Sequence, residues 1–137
     1  MLDVDKTEAL FIYGTLLPGL RLADAMAGAS CLGEAVVPGL LYDVGPYPGL
    51  VEGKGLVHGL VYRLSPQHLD RLDGIEEMVP GDRLASLYWR IRIEVMAGAC
   101  APSRVWTYRY NRSVSGLRCI PGGDYRQHLN RAPSSCI

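Results

Sequence analysis

The chain has 137 residues, 48% of them hydrophobic and 20% charged, and its 14 basic and 14 acidic residues cancel. That length and balance fit one domain with a real core, and they exclude a disordered or collagen-like chain. There is no basic run and no interleaving of basic and aromatic residues, which excludes a nucleic-acid partner, and near-neutrality argues against tethering to an anionic membrane surface.

The first residues, Met1 to Glu8, are acidic where a signal peptide would be basic, and the apolar run after them breaks at Gly14. No stretch approaches the ~20 apolar residues that span a bilayer. A cytoplasmic protein is expected. Cys31, Cys100, Cys119 and Cys136 form no Cys-x-x-Cys, and none has a histidine at metal-ligand spacing. Free thiols follow for a cytoplasmic chain. His58, His68 and His128 are scattered and read as structural or surface residues, so neither a zinc nor an iron enzyme is expected.

Leu10 to Tyr13 reads as a first strand, running into Gly14-Thr15-Leu16-Leu17-Pro18-Gly19. A strand that ends this way exposes consecutive backbone N–H groups, which can hold a carboxylate or an oxyanion. Gly14 lacks a Cβ, so a ligand could come close to the main chain there. The plain alternative is a tight turn. Leu20 to Ala27 suggests a short helix closed by Gly28. Ala35 to Leu41, broken by Pro38-Gly39, suggests two strand pieces or a bulged edge strand. Gly45 to Leu50 reads as a rigid loop whose two X-Pro bonds are candidates for a cis peptide. Gly55 to Leu64 looks like a buried strand.

A helix should start after Ser65, a good N-cap followed by Pro66 at the first helical position. Leu69, Leu72 and Ile75 give it an apolar stripe, and Asp73 and Glu76 stand near its end. Met78 to Ala85 reads as an exposed loop. Leu87 to Val95 alternates as a strand, with Leu87, Trp89, Ile91, Ile93 and Val95 on one face and Tyr88, Arg90, Arg92 and Glu94 on the other. Arg104 to Tyr110 is a further strand, and a turn at Ile120 leads to a helix capped by Asp124. These elements make one α+β domain over residues 1–137 with a curled sheet or small barrel, its tail frayed from about Arg131.

No Gly-x-Ser-x-Gly, P-loop or dinucleotide fingerprint is present. What remains is the possible anion-holding turn, a carboxylate at a helix end, and several tyrosines. Glu76 follows an apolar helix; pointing inward, it would be pushed towards its neutral form and would suit a general base near neutral pH. On pattern alone a solvated helix-end glutamate is the commoner outcome. Tyr88 and Tyr108 could reach into a cavity or be ordinary half-buried sheet tyrosines. Thr15 could present its hydroxyl to a ligand or cap a local turn.

Taken in order, the motifs resemble the γ-glutamylcyclotransferase-like family, which includes the γ-glutamylamine cyclotransferases and the AIG2-like proteins. The motifs are Tyr13-Gly14-Thr15-Leu16, Gly45-Pro46-Tyr47-Pro48-Gly49-Leu50, Gly55 to Tyr62, Leu72-Asp73-Gly74-Ile75-Glu76, Tyr88-Trp89-Arg90, Trp106-Thr107-Tyr108 and Ile120 to Tyr125. The resemblance runs from about Leu10 to Tyr125. It implies a small mixed β-barrel with flanking short helices. It also implies a reaction: cyclisation of a γ-glutamyl group to 5-oxoproline with release of the amine.

Carried over by position, the resemblance makes Glu76 the acid/base residue and Tyr13, Gly14, Thr15 and Leu16 the substrate-holding loop, with Tyr88 and Tyr108 as further pocket residues. Where the family often has a glycine after the glutamate, this chain has Glu77; Asp73, three residues before Glu76, keeps the usual register. The partner implied is a small γ-glutamyl amide, with no metal and no organic cofactor. A non-catalytic pocket protein or an amide hydrolase on the same fold are the alternatives, and the pattern leaves the leaving amine open.

Overall fold

The computed structural model describes residues 7–131, with side chains described up to Leu129. The strands are β1 (Glu8–Ile12), β2 (Ser30–Asp43), β3 (Pro48–Leu64), β4 (Tyr88–Glu94), β5 (Ala97–Gly98), β6 (Arg104–Tyr110) and β7 (Arg118–Cys119). Helix α1 (Pro66–Ile75) follows β3, and α2 (Tyr125–Arg131) closes the described chain. The expected frayed tail lies, past residue 131, outside the described residues.

The strands form one mixed sheet in the order β4-β6-β1-β3-β2-β5, with β7 against β2. Only β1 and β6 pair in parallel; the other pairings are antiparallel. The sheet curls into a half-barrel, the small mixed barrel with short helices that the resemblance implies. No helix among the described residues is long and apolar enough to cross a membrane.

β1 is central and buried on both sides, so its sequence is a continuous apolar run rather than an alternation. Leu10 and Ile12 face a core that includes Leu69 and Leu72 of α1 together with Tyr88 and Tyr108. Phe11 and Tyr13 face the other way, into a core with Val37, Leu41, Val57, Val61 and Val105. The end of β1 therefore lies where the two cores meet, and a loop leaving it runs between them.

α1 starts where its residues dictate. Ser65 accepts a hydrogen bond from the N–H of His68 at 3.0 Å, and Pro66 takes a position whose N–H would have no partner. Leu69 and Leu72 are buried, but Ile75, expected in the same stripe, is 42% exposed. Its place on the buried side goes to Asp73, and His68 is buried with its Nε2 2.7 Å from the carbonyl oxygen of Ala25. His68 is thus the structural histidine expected.

Other elements differ from the sequence reading. The segment Ala23–Met26 forms only one 3-10 turn within the expected helix 20–27. β2 is a single 14-residue strand, bulged between Pro38 and Leu40, and it lies inside the sheet rather than at its edge. The expected loop Gly45–Leu50 becomes strand from Pro48, since proline is tolerated as a first strand residue. The cis peptide is at Ala101–Pro102, not at Pro46 or Pro48. On β4 the burial is partly reversed: Tyr88, on the polar face, is buried, while Trp89, Ile91 and Ile93 are only half-buried.

Candidate active site

A small recess lies at the end of β1, walled by Tyr13, Gly14, Thr15, Leu16, Tyr47, Pro48, Glu76, Tyr88 and Tyr108 with the end of β1 behind. It brings together every residue singled out from the sequence. Its volume is about 20 Å³. It opens beside a wider vestibule of about 220 Å³ that shares Thr15, Tyr47, Glu76 and Tyr88 and adds Arg21, Leu22, Pro46, Ile75, Glu77 and Leu87. A larger hollow of about 340 Å³ lies elsewhere, around Glu34, His58, Asp124 and Arg126. Volume does not choose between them; the chemistry of the walls does.

The loop after β1 supplies donors. Residues 13–17 are buried. The carbonyls of Gly14 and Thr15 accept from the N–H groups of Leu17 and Leu22, at 2.9 and 2.8 Å. The N–H groups of Gly14, Thr15 and Leu16 have no backbone acceptor among the described residues. Consecutive unpaired N–H groups in a buried segment are rare, and they form a concavity suited to an anion.

Gly14 is needed for a different reason from the one its sequence suggests. A Cβ there would lie 2.7 Å from Pro48 Cγ and 2.9 Å from Pro48 Cδ. The missing side chain makes room for the Pro48 ring rather than for a ligand. Gly14→Ala should therefore push the Tyr47-Pro48 wall away and destabilise the fold by about 1–3 kcal/mol, the range for overpacking a tight site. Urea unfolding measures it; an unchanged midpoint would show that Pro48 gives way freely.

The tyrosines are walls with committed protons. Tyr13 Oη donates to the carbonyl oxygen of Tyr108 at 2.6 Å and accepts from the N–H of Leu50 at 3.3 Å. Tyr88 Oη donates to the Pro48 carbonyl at 2.5 Å. Tyr108 Oη donates to Asp73 Oδ1 at 2.6 Å. Burial raises all three phenols, so they stay neutral. To a ligand, the Tyr88 and Tyr108 oxygens can offer lone pairs and not protons. Tyr88 also packs edge-on against Tyr47 and Tyr110, with ring centroids 5.8 and 5.6 Å apart.

Asp73 anchors this wall. Besides Tyr108 it holds Arg90 Nη2 at 3.5 Å, and Arg90 lies over the Trp106 ring at 4.5 Å. Burial pushes the Asp73 carboxyl up, while the Tyr108 hydrogen bond and Arg90 pull it down.

Glu76 is the C-cap of α1, half-buried, its N–H bonded back to the carbonyl of Leu72 at 2.9 Å. No hydrogen bond or ion pair holds its carboxyl group among the described residues. Burial, and then the Glu77 charge, raise its pKa to about 7, with Arg21 pulling the other way. This is the reverse of the solvated helix-end carboxylate that pattern alone favours.

Arg21, Tyr47 and Pro48 were not read as pocket residues from the sequence, nor Asp73 as the support behind Tyr108. For Tyr47 a signal existed: an aromatic fixed between two prolines has a settled direction. For Arg21 none did, because a lone arginine in a polar turn looks like any other.

The chain belongs to the γ-glutamyl cyclotransferase, AIG2-like family, which it matches over residues 10–127. It is 34% identical over 117 residues to the γ-glutamylcyclotransferase family protein YtfP of Escherichia coli (strain K12), covering 85% of this chain and 94% of that one. It is 40% identical over 106 residues to the γ-L-glutamyl-butirosin B γ-glutamyl cyclotransferase of Niallia circulans, covering 75% of this chain and 67% of that enzyme. An AIG2-like protein of Mus musculus shares the fold, with a TM-score of 0.64 at 23% identity over 82% of this chain and 84% of that one.

Proposed function

We propose that the protein cyclises the γ-glutamyl group of a small γ-glutamyl amide to 5-oxoproline and releases the amine, with Glu76 as the acid/base residue. The observation that carries this reading is a carboxyl group of pKa about 7 set in one recess with three unpaired backbone N–H groups. The relative from Niallia circulans supports it, since the substrate in its name also carries a γ-glutamyl group.

The substrate contains its own nucleophile, so no serine or cysteine is required. Its α-amine attacks its own γ-carbonyl carbon, a C–N bond closes the five-membered ring, and the bond to the departing nitrogen breaks. Because nucleophile and carbonyl share one molecule, the attack is unimolecular from the start, and the protein's part is to hold the bent conformer that aligns them. The α-amine is mostly protonated near neutral pH and must lose a proton before it attacks. A carboxylate half-ionised at pH 7 can take that proton and return it to the departing nitrogen. The N–H groups of Gly14 to Leu16 hold the substrate's negative end. The Tyr88 and Tyr108 oxygens, whose O–H groups are already engaged as donors within the fold, accept from the substrate ammonium and guide it towards Glu76.

A panel of γ-glutamyl amides, assayed for 5-oxoproline by mass spectrometry in 18O-water, tests the reading. Unlabelled 5-oxoproline is expected. Linear glutamate carrying one 18O would mean hydrolysis instead, and no product from any amide would leave a binding protein.

A further inference from the structure

Glu77 occupies an unusual backbone position for its type. The N–H of Glu77 bonds to the carbonyl of Gly74 at 3.1 Å and that of Met78 to Asp73 at 2.9 Å, the paired bonds that end a helix in a left-handed residue. Glu77 is that residue, with φ +57°, a conformation that favours glycine. A glycine would fit without strain, yet the chain places a charged side chain there, on the vestibule wall beside Glu76. Strain retained next to a reactive group points to a function for the residue that carries it.

We propose that Glu77 is a positioning residue for the proton on Glu76: its carboxyl group, set by the left-handed turn on the same vestibule wall, adds to burial in keeping that proton in place. The proposal rests on Glu76 being the acid/base residue. Other groups around Glu76 are accounted for. Tyr13, Tyr47, Tyr88 and Tyr108, from the loop after β1, the β2–β3 turn, β4 and β6, are all raised and stay neutral. Asp73, on the same helix, is engaged by Tyr108 and Arg90. That leaves Arg21 and Glu77 as the charges that act on Glu76 in opposite directions. The departure from glycine after the glutamate is thus the chain's means of tuning its base.

The test compares the wild type with Glu77→Gln and Glu77→Gly. Gln keeps the strained backbone and removes the charge; Gly removes both. Two readouts are taken: the pH profile of kcat/KM for 5-oxoproline release from γ-glutamyl-p-nitroanilide, and a 13C NMR titration of the Glu76 carboxyl carbon. In both variants the acid limb and the carboxyl titration should move down by about half a pH unit, as for one charge acting through a partly hydrated gap. Arg21→Gln should move them up. Only Glu77→Gly should also melt at a higher temperature. A purely structural Glu77 would raise the melting temperature in the glycine variant and leave both titrations in place, which overturns the proposal. If none of the proteins turns over substrate, the acid/base reading fails while the NMR titration still decides whether Glu77 tunes Glu76.

Discussion

Glu76→Gln is expected to abolish 5-oxoproline formation and, above neutral pH, to make the protein more stable than the wild type. The loss follows from acid/base work worth about 10²–10⁴ in rate. The gain follows from proton linkage. In the folded state Glu76 keeps its proton to about pH 7, whereas the ordinary value is 4.5. Between those values the folded chain binds more protons than the unfolded one, so its stability falls as pH rises. Above pH 7 the wild type carries the full penalty, about 1–3 kcal/mol once partial solvation is allowed for. Below about pH 4.5 it carries none. Glutamine has no charge to bury, so the variant should unfold at higher urea concentration at pH 8 and at the same concentration as wild type at pH 4. Full activity in Glu76→Gln would remove Glu76 from the mechanism; inactivity without the alkaline gain would mean that its carboxyl is not desolvated.

The other large effect concerns the support beneath the pocket. Asp73→Ala should lower stability by about 2–4 kcal/mol, because it strips the acceptor from a buried phenol and the partner from a mostly buried guanidinium. The Arg90 and Asp73 side chains are only 18% and 10% exposed, so water makes up little of the loss. Asp73→Asn should cost less, since its amide oxygen still accepts from Tyr108 Oη. Equilibrium unfolding in urea separates the two; equal losses for Ala and Asn would assign the stabilisation to the charge on Arg90 rather than to the hydrogen bond. Tyr108 also accepts the Tyr13 hydrogen bond through its carbonyl, so activity should fall in Asp73→Ala beyond what unfolding explains.

Where local chemistry decides the structure, the sequence is readable. Ser65-Pro66 starts α1, and Asp124 accepts from the N–H of Gln127 at 3.1 Å at the start of α2. The strand expected over Arg104 to Tyr110 matches β6 at both ends. Long-range packing decides the rest. Nothing near Tyr88 in sequence says that α1 packs over this end of β4 and buries the Tyr88 ring. Pro48 reads as a loop residue until β2 is seen beside it. The pocket follows the same division. Gly14 to Leu16 and Glu76 came from motifs, and their coming together needed the family order. The exclusion of ligand from the Gly14 Cβ position, and the committed tyrosine protons, became visible only once Pro48, Tyr108 and Asp73 were placed.

The parallel pairing of β1 with β6 has a consequence for biosynthesis. Tyr13 bonds to Tyr108 across 95 residues, Thr107 to Phe11 across 96, and Trp106 to Glu8 across 98. The central strand is translated some 95 residues before its parallel neighbour. At translation rates of roughly 5–20 residues per second, the apolar run Leu10–Ile12 waits several seconds for that partner. During that wait β3 can cover one of its edges, but the opposite edge and the pocket remain unformed. No nascent chain short of Tyr108 has all the walls of the recess, and its assembly coincides with the step that closes the sheet.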